Sequence, residues 1–252
     1  MKKNSVFPAL TLWALSFLAL AGAADAHQKD YVLNQGYHTT RQGEFEVELY
    51  NDFNLSETGN DDTYHSAHQV ELEYGITPHL QLAWYEVFAW DRSADWQQDA
   101  YKVEAKYRFL ESGQWPVDVA LYGEYKNPQG SQDVRSDEIE GKLILSRDFG
   151  PWNLIGNLIA ERTINVHEDL QWEYTAGISY LLNPQVRLGL EIKETLGDQG
   201  EFGIHRKNHE LQLMPVIAVS PSAHIRILFG PAFGLTPAAD DLQLKSIVEV
   251  EF

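Results

Sequence analysis

From Gly43 to the last residue the chain repeats one unit: a run with apolar residues at alternate positions, a connection, then another such run. Twelve runs can be marked. The fourth, Ala100 to Leu110, is the clearest. Tyr101, Val103, Ala105, Tyr107 and Phe109 hold one parity and Lys102, Glu104, Lys106 and Arg108 the other. The last run, Asp241 to Phe252, sets Leu242, Leu244, Val248, Val250 and Phe252 against Gln243, Lys245, Glu249 and Glu251. Ser246 and Ile247 break the two rows. A period of two belongs to an extended strand with one apolar and one polar face. A chain that ends on an alternating run, without a polar tail, needs a partner for its last strand. That points to a sheet closed on itself.

The other runs are Glu44–Phe53, His68–Tyr74, His79–Trp90, 117–126, 138–145, 152–161, 171–180, 186–193, 210–219 and 224–234. The third is apolar on both parities; Leu80, Leu82, Trp84, Phe88 and Trp90 are expected outward. Pro215 and Pro231 fall inside the tenth and eleventh, where each removes a ladder donor. Connections after even-numbered runs are short and hold Pro: 75–78, 111–116, 149–151, 183–184 and 220–222. Those after odd-numbered runs are longer and polar. An even strand number with alternating short and long connections is the plan of an outer-membrane barrel, with short periplasmic turns and longer outer loops. In hydrocarbon an open strand edge finds no water, so a spanning sheet must close. Aromatic residues collect at both ends of the apolar parity. Tyr74, Trp152, Tyr180 and Phe252 lie toward the short turns, and Phe53, Trp90, Tyr125 and Trp172 toward the long loops. Two aromatic belts fit two lipid–water interfaces. The expected fold is all-β: a transmembrane antiparallel up-and-down barrel of about twelve strands over residues 43–252.

Residues 1–26 have the form of a secretory signal peptide. Lys2 and Lys3 precede a nearly apolar stretch from Val6 to Gly22, and Ala24-Asp25-Ala26 offers a small-residue cleavage site. Residues 27–42 show no clean period and are expected to be irregular, either inside the barrel or in the periplasm. There is no cysteine, so no disulfide staples an exported fold. The net charge of −18, from 19 basic and 37 acidic residues, argues against a nucleic-acid partner.

Together these features resemble a Gram-negative outer-membrane β-barrel protein. The terminal run, with Lys245, Val250 and Phe252, is similar to the signal read by the barrel-assembly machinery, with Ile247 where glycine is common. The hairpin ELEYGITPHLQLAW (71–84) is similar to one in a broad group of poorly characterised outer-membrane proteins, some labelled as transporters of aromatic-degradation operons. The resemblance implies residence in the outer membrane, among lipid and lipopolysaccharide, with the assembly machinery as a partner of the last strand. It covers that one hairpin strongly and the rest by pattern.

The polar parity is then the lumen. The candidate pore-lining residues are Glu46, Glu48, Glu71, Glu73, Lys102, Glu104, Lys106, Arg108, Glu124, Lys126, Glu140, Lys142, Glu173, Arg187, Glu191, Lys193, Lys245 and Glu249. With the second run acidic and the fourth basic, neighbouring strands are expected to pair opposite charges. At the seam, Lys245, Glu249 and Glu251 should meet Glu44 to Asp52, with Lys245 the only base facing several acids. Dense charge either filters solutes or fills a small lumen by pairing, since unpaired buried charge is costly. Acidic outer connections such as 54–67 and 196–208 read as a solvated rim; cation capture is the sharper alternative, without the spacing of a known calcium loop. His65, His68, His205 and His209 read as loop histidines rather than metal ligands, and no metal or cofactor is expected. No GxSxG, HExxH or Gly-rich phosphate loop is present, and catalysis has no positive support. The leading reading is a narrow channel or transporter for small solutes. A closed-lumen interaction protein acting through acidic loops is the alternative. A soluble periplasmic β-sandwich or lipid-binding barrel is the third.

Overall fold

Alternation carries directly into structure. In a computed structural model, residues 29–55, 66–90, 96–129, 136–164, 170–198 and 209–252 are described. The expected signal peptide and parts of the longer connections, His65 and His205 included, lie outside the described residues. The twelve runs form twelve strands: β1 (Phe45–Asn54), β2 (Ser66–Thr77), β3 (Leu80–Trp90), β4 (Trp96–Arg108), β5 (Asp118–Pro128), β6 (Glu138–Phe149), β7 (Trp152–Thr163), β8 (Gln171–Asn183), β9 (Val186–Asp198), β10 (Leu211–Ser222), β11 (Ile225–Gly234) and β12 (Leu242–Glu251). Each pairs antiparallel with its neighbours in sequence, and β12 returns to β1 to close the barrel. Several strands run past the alternating stretch. Gly75–Thr77, expected in a turn, extend β2, and Trp96–Asp99, expected in a loop, open β4. The β2–β3 turn is accordingly tighter than the sequence pattern suggests, whereas the β4–β5 connection, 109–117, is longer than the expected 111–116.

The closing seam is in full register, from Glu46 opposite Glu251 to Asn54 opposite Gln243. The final residue takes part: the Phe252 amide donates to the Phe45 carbonyl at 2.9 Å. The apolar parity faces out everywhere. Val70, Leu82, Trp84, Val103, Leu121, Leu143, Leu158, Leu190, Ile217 and Phe229 are all exposed large hydrophobics on the outer face. Such a continuous apolar belt is not tolerated in water, and it is what a strand wall shows to lipid. Among the described residues no helix is long and apolar enough to cross a membrane; the strands do the crossing. Aromatic pairs brace the wall: Phe45 with Tyr74 at 4.5 Å and Trp152 with Tyr180 at 4.7 Å near the short turns, and Trp84 stacked on Tyr101 at 5.2 Å at mid-height.

The prolines sit on the outer parity of β10 and β11. The β10–β11 ladder pairs Leu213 with Phe233 and next pairs Ile217 with Phe229. The interval holds Pro215 and Pro231, as their missing N–H groups dictate. Glu86 departs from the rule that outward residues are apolar. It lies on the outer parity of β3, where Trp84 Nε1 and Gln98 Nε2 donate to it at 3.0 and 2.6 Å.

Candidate functional site

The interior is occupied by the chain itself. Residues 29–42 enter the barrel and run across it before β1 begins. Tyr31 and Tyr37 are each only 2% exposed. The segment has no regular structure, so its backbone groups must be satisfied by side chains of the wall. Glu191 of β9 takes the largest share of this. Its carboxylate accepts from the backbone amides of Val32, Leu33 and Asn34 at 2.7, 2.8 and 2.9 Å, and from Asn34 Nδ2 at 2.8 Å. Asn157 of β7 exchanges two hydrogen bonds with the Gln35 backbone, at 2.7 and 3.2 Å. The Tyr31 hydroxyl donates to Asn153 Oδ1 at 2.8 Å. The Thr40 amide donates to Gln81 Oε1 at 2.9 Å and its hydroxyl to Glu73 at 2.6 Å.

Two wall glycines make room. A Cβ on Gly177, on the inner face of β8, would come within 2.7 Å of the Tyr31 ring. A Cβ on Gly75 would meet the Arg41 carbonyl oxygen at 1.9 Å. There Gln42 forms a parallel bridge to Gly75, and the Gly43 amide donates to the Gly75 carbonyl at 2.8 Å. The plug is thus matched to its barrel at both places.

Lys29 and Asp30 anchor the inner end. Lys29 Nζ pairs with Glu48 and hydrogen-bonds the Tyr50 hydroxyl at 2.5 Å, and its amide reaches Glu249 at 3.3 Å. Asp30 lies between Arg226 of β11, at 2.5 Å, and Arg187 of β9, at 3.1 Å. Arg226 also donates to the Lys29 carbonyl.

The structure distributes the sequence candidates into two sets. The first is a chain of ion pairs around the wall: Lys102 with Glu124 at 3.2 Å, Lys126 with Glu138 at 2.9 Å, Lys142 with Glu140 at 2.9 Å, Lys193 with Glu173 at 2.8 Å and Lys245 with Asp52 at 2.9 Å. Arg108 turns to the short-turn end, where it pairs with Glu111 at 2.7 Å and holds that carboxyl below the usual carboxylate range. The second set is a carboxylate cluster. Glu46, Glu48, Glu71, Glu73 and Glu249 are all buried, and Glu104 and Lys106 of β4 are buried as well.

In this cluster the expected pairing of opposite charges across neighbouring strands does not occur. Glu46 stands opposite both Glu73 and Glu251, and Glu48 opposite both Glu71 and Glu249. Like charges directly across a ladder repel. The compensation comes from outside the wall strands concerned: Lys29 from the plug and Arg226 from β11, which stands opposite Glu249. Lys245, read as the only base at the seam and expected to meet Glu44 to Asp52, pairs with Asp52, at the edge of the cluster. Lys29 carries no sequence signal because residues 27–42 have no period. Arg226 lies on the polar parity of a run that Pro231 weakens. His68 is tied to Asn51 at 2.8 Å and Ser66 at 3.1 Å, and His209 to Glu194 at 2.7 Å.

Two spaces flank the plug. A cavity of about 400 Å³ at the short-turn end is lined by Asp30, Tyr31, Tyr37, Arg108, Glu111, Asp148 and Arg187, among others. One of about 160 Å³ toward the long loops is lined by Lys29, Leu33, Tyr50, Asp52, Tyr85, Lys102, Tyr122 and Lys245, among others. Chemically the interior is a charged tube with a peptide stopper seated in it.

No family model and no curated protein matches the chain. Solved structures do. The KdgM porin superposes with a TM-score of 0.57 at 8% identity, over 82% of this chain and 98% of that one. An outer-membrane channel from Pseudomonas putida F1 gives 0.60 at 13% identity, over 88% and 100%. The NanC porin gives 0.54 at 12% identity, over 82% and 98%. At such identities the likeness is one of fold: this chain has the architecture of outer-membrane porins and channels, and it spans nearly the whole of each.

Proposed function

We propose that the protein is an outer-membrane channel for small polar solutes, held shut by residues 29–42. The observation that carries this reading is that residues of the plug line open space both toward the short turns and toward the long loops. The plug is irregular peptide, joined to the barrel wall's ladder only by the bridge at Gly75 among the described residues. Its remaining anchors are side-chain hydrogen bonds, ion pairs and apolar contacts, which can be exchanged without opening the barrel. Carboxylates outnumber basic groups among the buried side chains, so the open tube is expected to prefer cations and neutral solutes. One structural neighbour is a KdgM porin in complex with disordered oligogalacturonate. The charge balance here speaks against an acidic cargo of that kind.

The test is conductance across a planar bilayer. Wild type is expected to conduct weakly. A variant lacking residues 29–40 should conduct at least several-fold more, with a reversal potential in a KCl gradient that reports preference for K⁺. Conductance that stays near zero in both proteins would favour the second reading, a barrel closed by its own wall charges that acts through its outer loops. The chain of ion pairs around the wall is what speaks for that one.

A further inference from the structure

The carboxylate cluster at the β12–β1–β2 wall has more acid than its lysine uses. Glu46, Glu48 and Glu249 each bring a carboxylate oxygen within 4.8 Å of the others, and so do Glu48, Glu71 and Glu73. Glu48 is common to both triads, and Lys29 Nζ is paired with it. Two observations beyond proximity point to a ligand. Glu71 Oε1 and Glu249 Oε1 are wholly buried and accept no hydrogen bond, on side chains that are 0% and 1% exposed. And the carboxylate that the two triads share already holds a cation: the Lys29 ammonium pairs with Glu48 and bonds the Tyr50 hydroxyl, delivered by a segment that is not part of the wall. Oxygen-only donors on a rigid sheet suit a hard divalent ion, which takes six to eight oxygens at about 2.3–2.6 Å. Tyr50, whose hydroxyl donates to Glu71 at 2.7 Å, would supply a neutral oxygen. The cavity toward the long loops is lined by Lys29, Tyr50 and Asp52, which gives an ion a route from that side.

We propose that this cluster is a divalent-cation site of the calcium type, and that Lys29 and the cation compete for it. The plug's lysine acts as a tethered stand-in for the ion, so occupancy by the ion and full seating of the plug exclude one another. The inference concerns binding and stands whether or not the barrel conducts.

The test is titration of the purified, detergent-solubilised full barrel with CaCl₂ by calorimetry, and with Tb³⁺ by sensitised luminescence. Removing the competing ammonium with Lys29→Met should tighten the site by about tenfold or more, the scale of one unit charge in a partly buried place. Adding Glu48→Gln to Lys29→Met should abolish that gain, since Glu48 belongs to both triads. The slower gel mobility of boiled against unboiled sample verifies that each variant holds a closed barrel. In wild type, CaCl₂ should raise acetylation of Lys29 by acetic anhydride several-fold. Affinity in Lys29→Met within twofold of wild type overturns the proposal. So does a gain that survives Glu48→Gln, which would place the ion on the acidic loops. Calcium-independent acetylation of Lys29 overturns the competition.

Discussion

Along β12, β1 and β2 the inner wall presents Glu249, Glu46, Glu48, Glu71 and Glu73. Along β10 and β11 it presents Met214, Val216, Ala218, Leu228 and Ala232, joined by Ile247 of β12. Both walls meet the same short segment. Lys29 goes to the acidic wall, and Val32 and Leu33 pack on the apolar one. The acidic wall holds the plug by charge and would be strained without it. The apolar wall holds it by removing hydrocarbon from water, and would merely be wetted by its departure. The first contact is specific for a cation and is exchangeable; the second is indifferent to ions. A stopper fixed in both ways can stay seated at rest and still answer to ionic conditions at one end.

Reversing the charge of the acidic contact should have the largest effect. Lys29→Glu replaces the ammonium in the cluster by another carboxylate, among acids that already face one another across two ladders. Removing one partner of a buried pair costs about 3–5 kcal/mol, and reversal costs more. The plug's inner end should leave its seat, and bilayer conductance should rise toward that of the variant lacking residues 29–40. The strand ladders do not involve Lys29, so the unboiled protein should keep its barrel mobility on gels. Wild-type conductance in Lys29→Glu would mean that the acidic wall is not needed to hold the stopper.

A steric change between the two walls should act next. Gly177→Val places a side chain where the Tyr31 ring lies, 2.7 Å from a new Cβ. Tyr31 would lose its seat and its hydrogen bonds to Asn153. Lys29 on one side and the Glu191 contacts on the other would remain. The expected result is flickering openings in single-channel recordings rather than steady conductance, with Tyr31→Ala in the Gly177→Val background restoring quiet closure. Failure of that second substitution to quieten the channel would show that valine acts through the strand and not through the plug.

The wall was legible in the sequence and the stopper was not, for a physical reason. Lipid tests every second residue of every strand, so most strands wrote themselves as alternation; β3, apolar on both parities, puts Leu82, Trp84 and Phe88 outward as expected. The plug is tested by nothing periodic. Its backbone is satisfied by single side chains such as Glu191 and Asn157, whose polarity was visible on the inner parity but whose partners were not. Clues did exist among the apparent faults of the pattern. Ile247 broke the polar row of the last strand, and it is fully buried against Leu228 and Ala218 in the apolar wall. Gly177 stood on the inner parity of its run, where the ring of Tyr31 needs the space. Glutamates stacked across β12, β1 and β2 called for more positive charge than Arg226 of β11 supplies, and Lys29 of the plug adds to it. An unexplained apolar residue on a lumen parity is therefore a sign of something seated inside.

The apolar contact should give the smallest change, and a distinctive one. Leu33 is partly buried against Met214, Val216 and Ala232, so Leu33→Ala gives up about 1 kcal/mol, less than the full burial of a leucine side chain. That is roughly a fivefold shift in the balance between seated and unseated plug. The shift should be the same at 0.1 M and 1 M KCl, because no charge is involved. A substitution at the other end, Asp30→Asn, weakens the pairs to Arg226 and Arg187. Its effect should shrink as salt screens those pairs, partly buried though they are. Open probability measured for both variants at the two salt concentrations separates the plug's charged contacts from its apolar ones. Equal salt dependence in Leu33→Ala and Asp30→Asn would break the distinction drawn between them, and would leave a plug held by one cooperative set of contacts rather than by two independent ones.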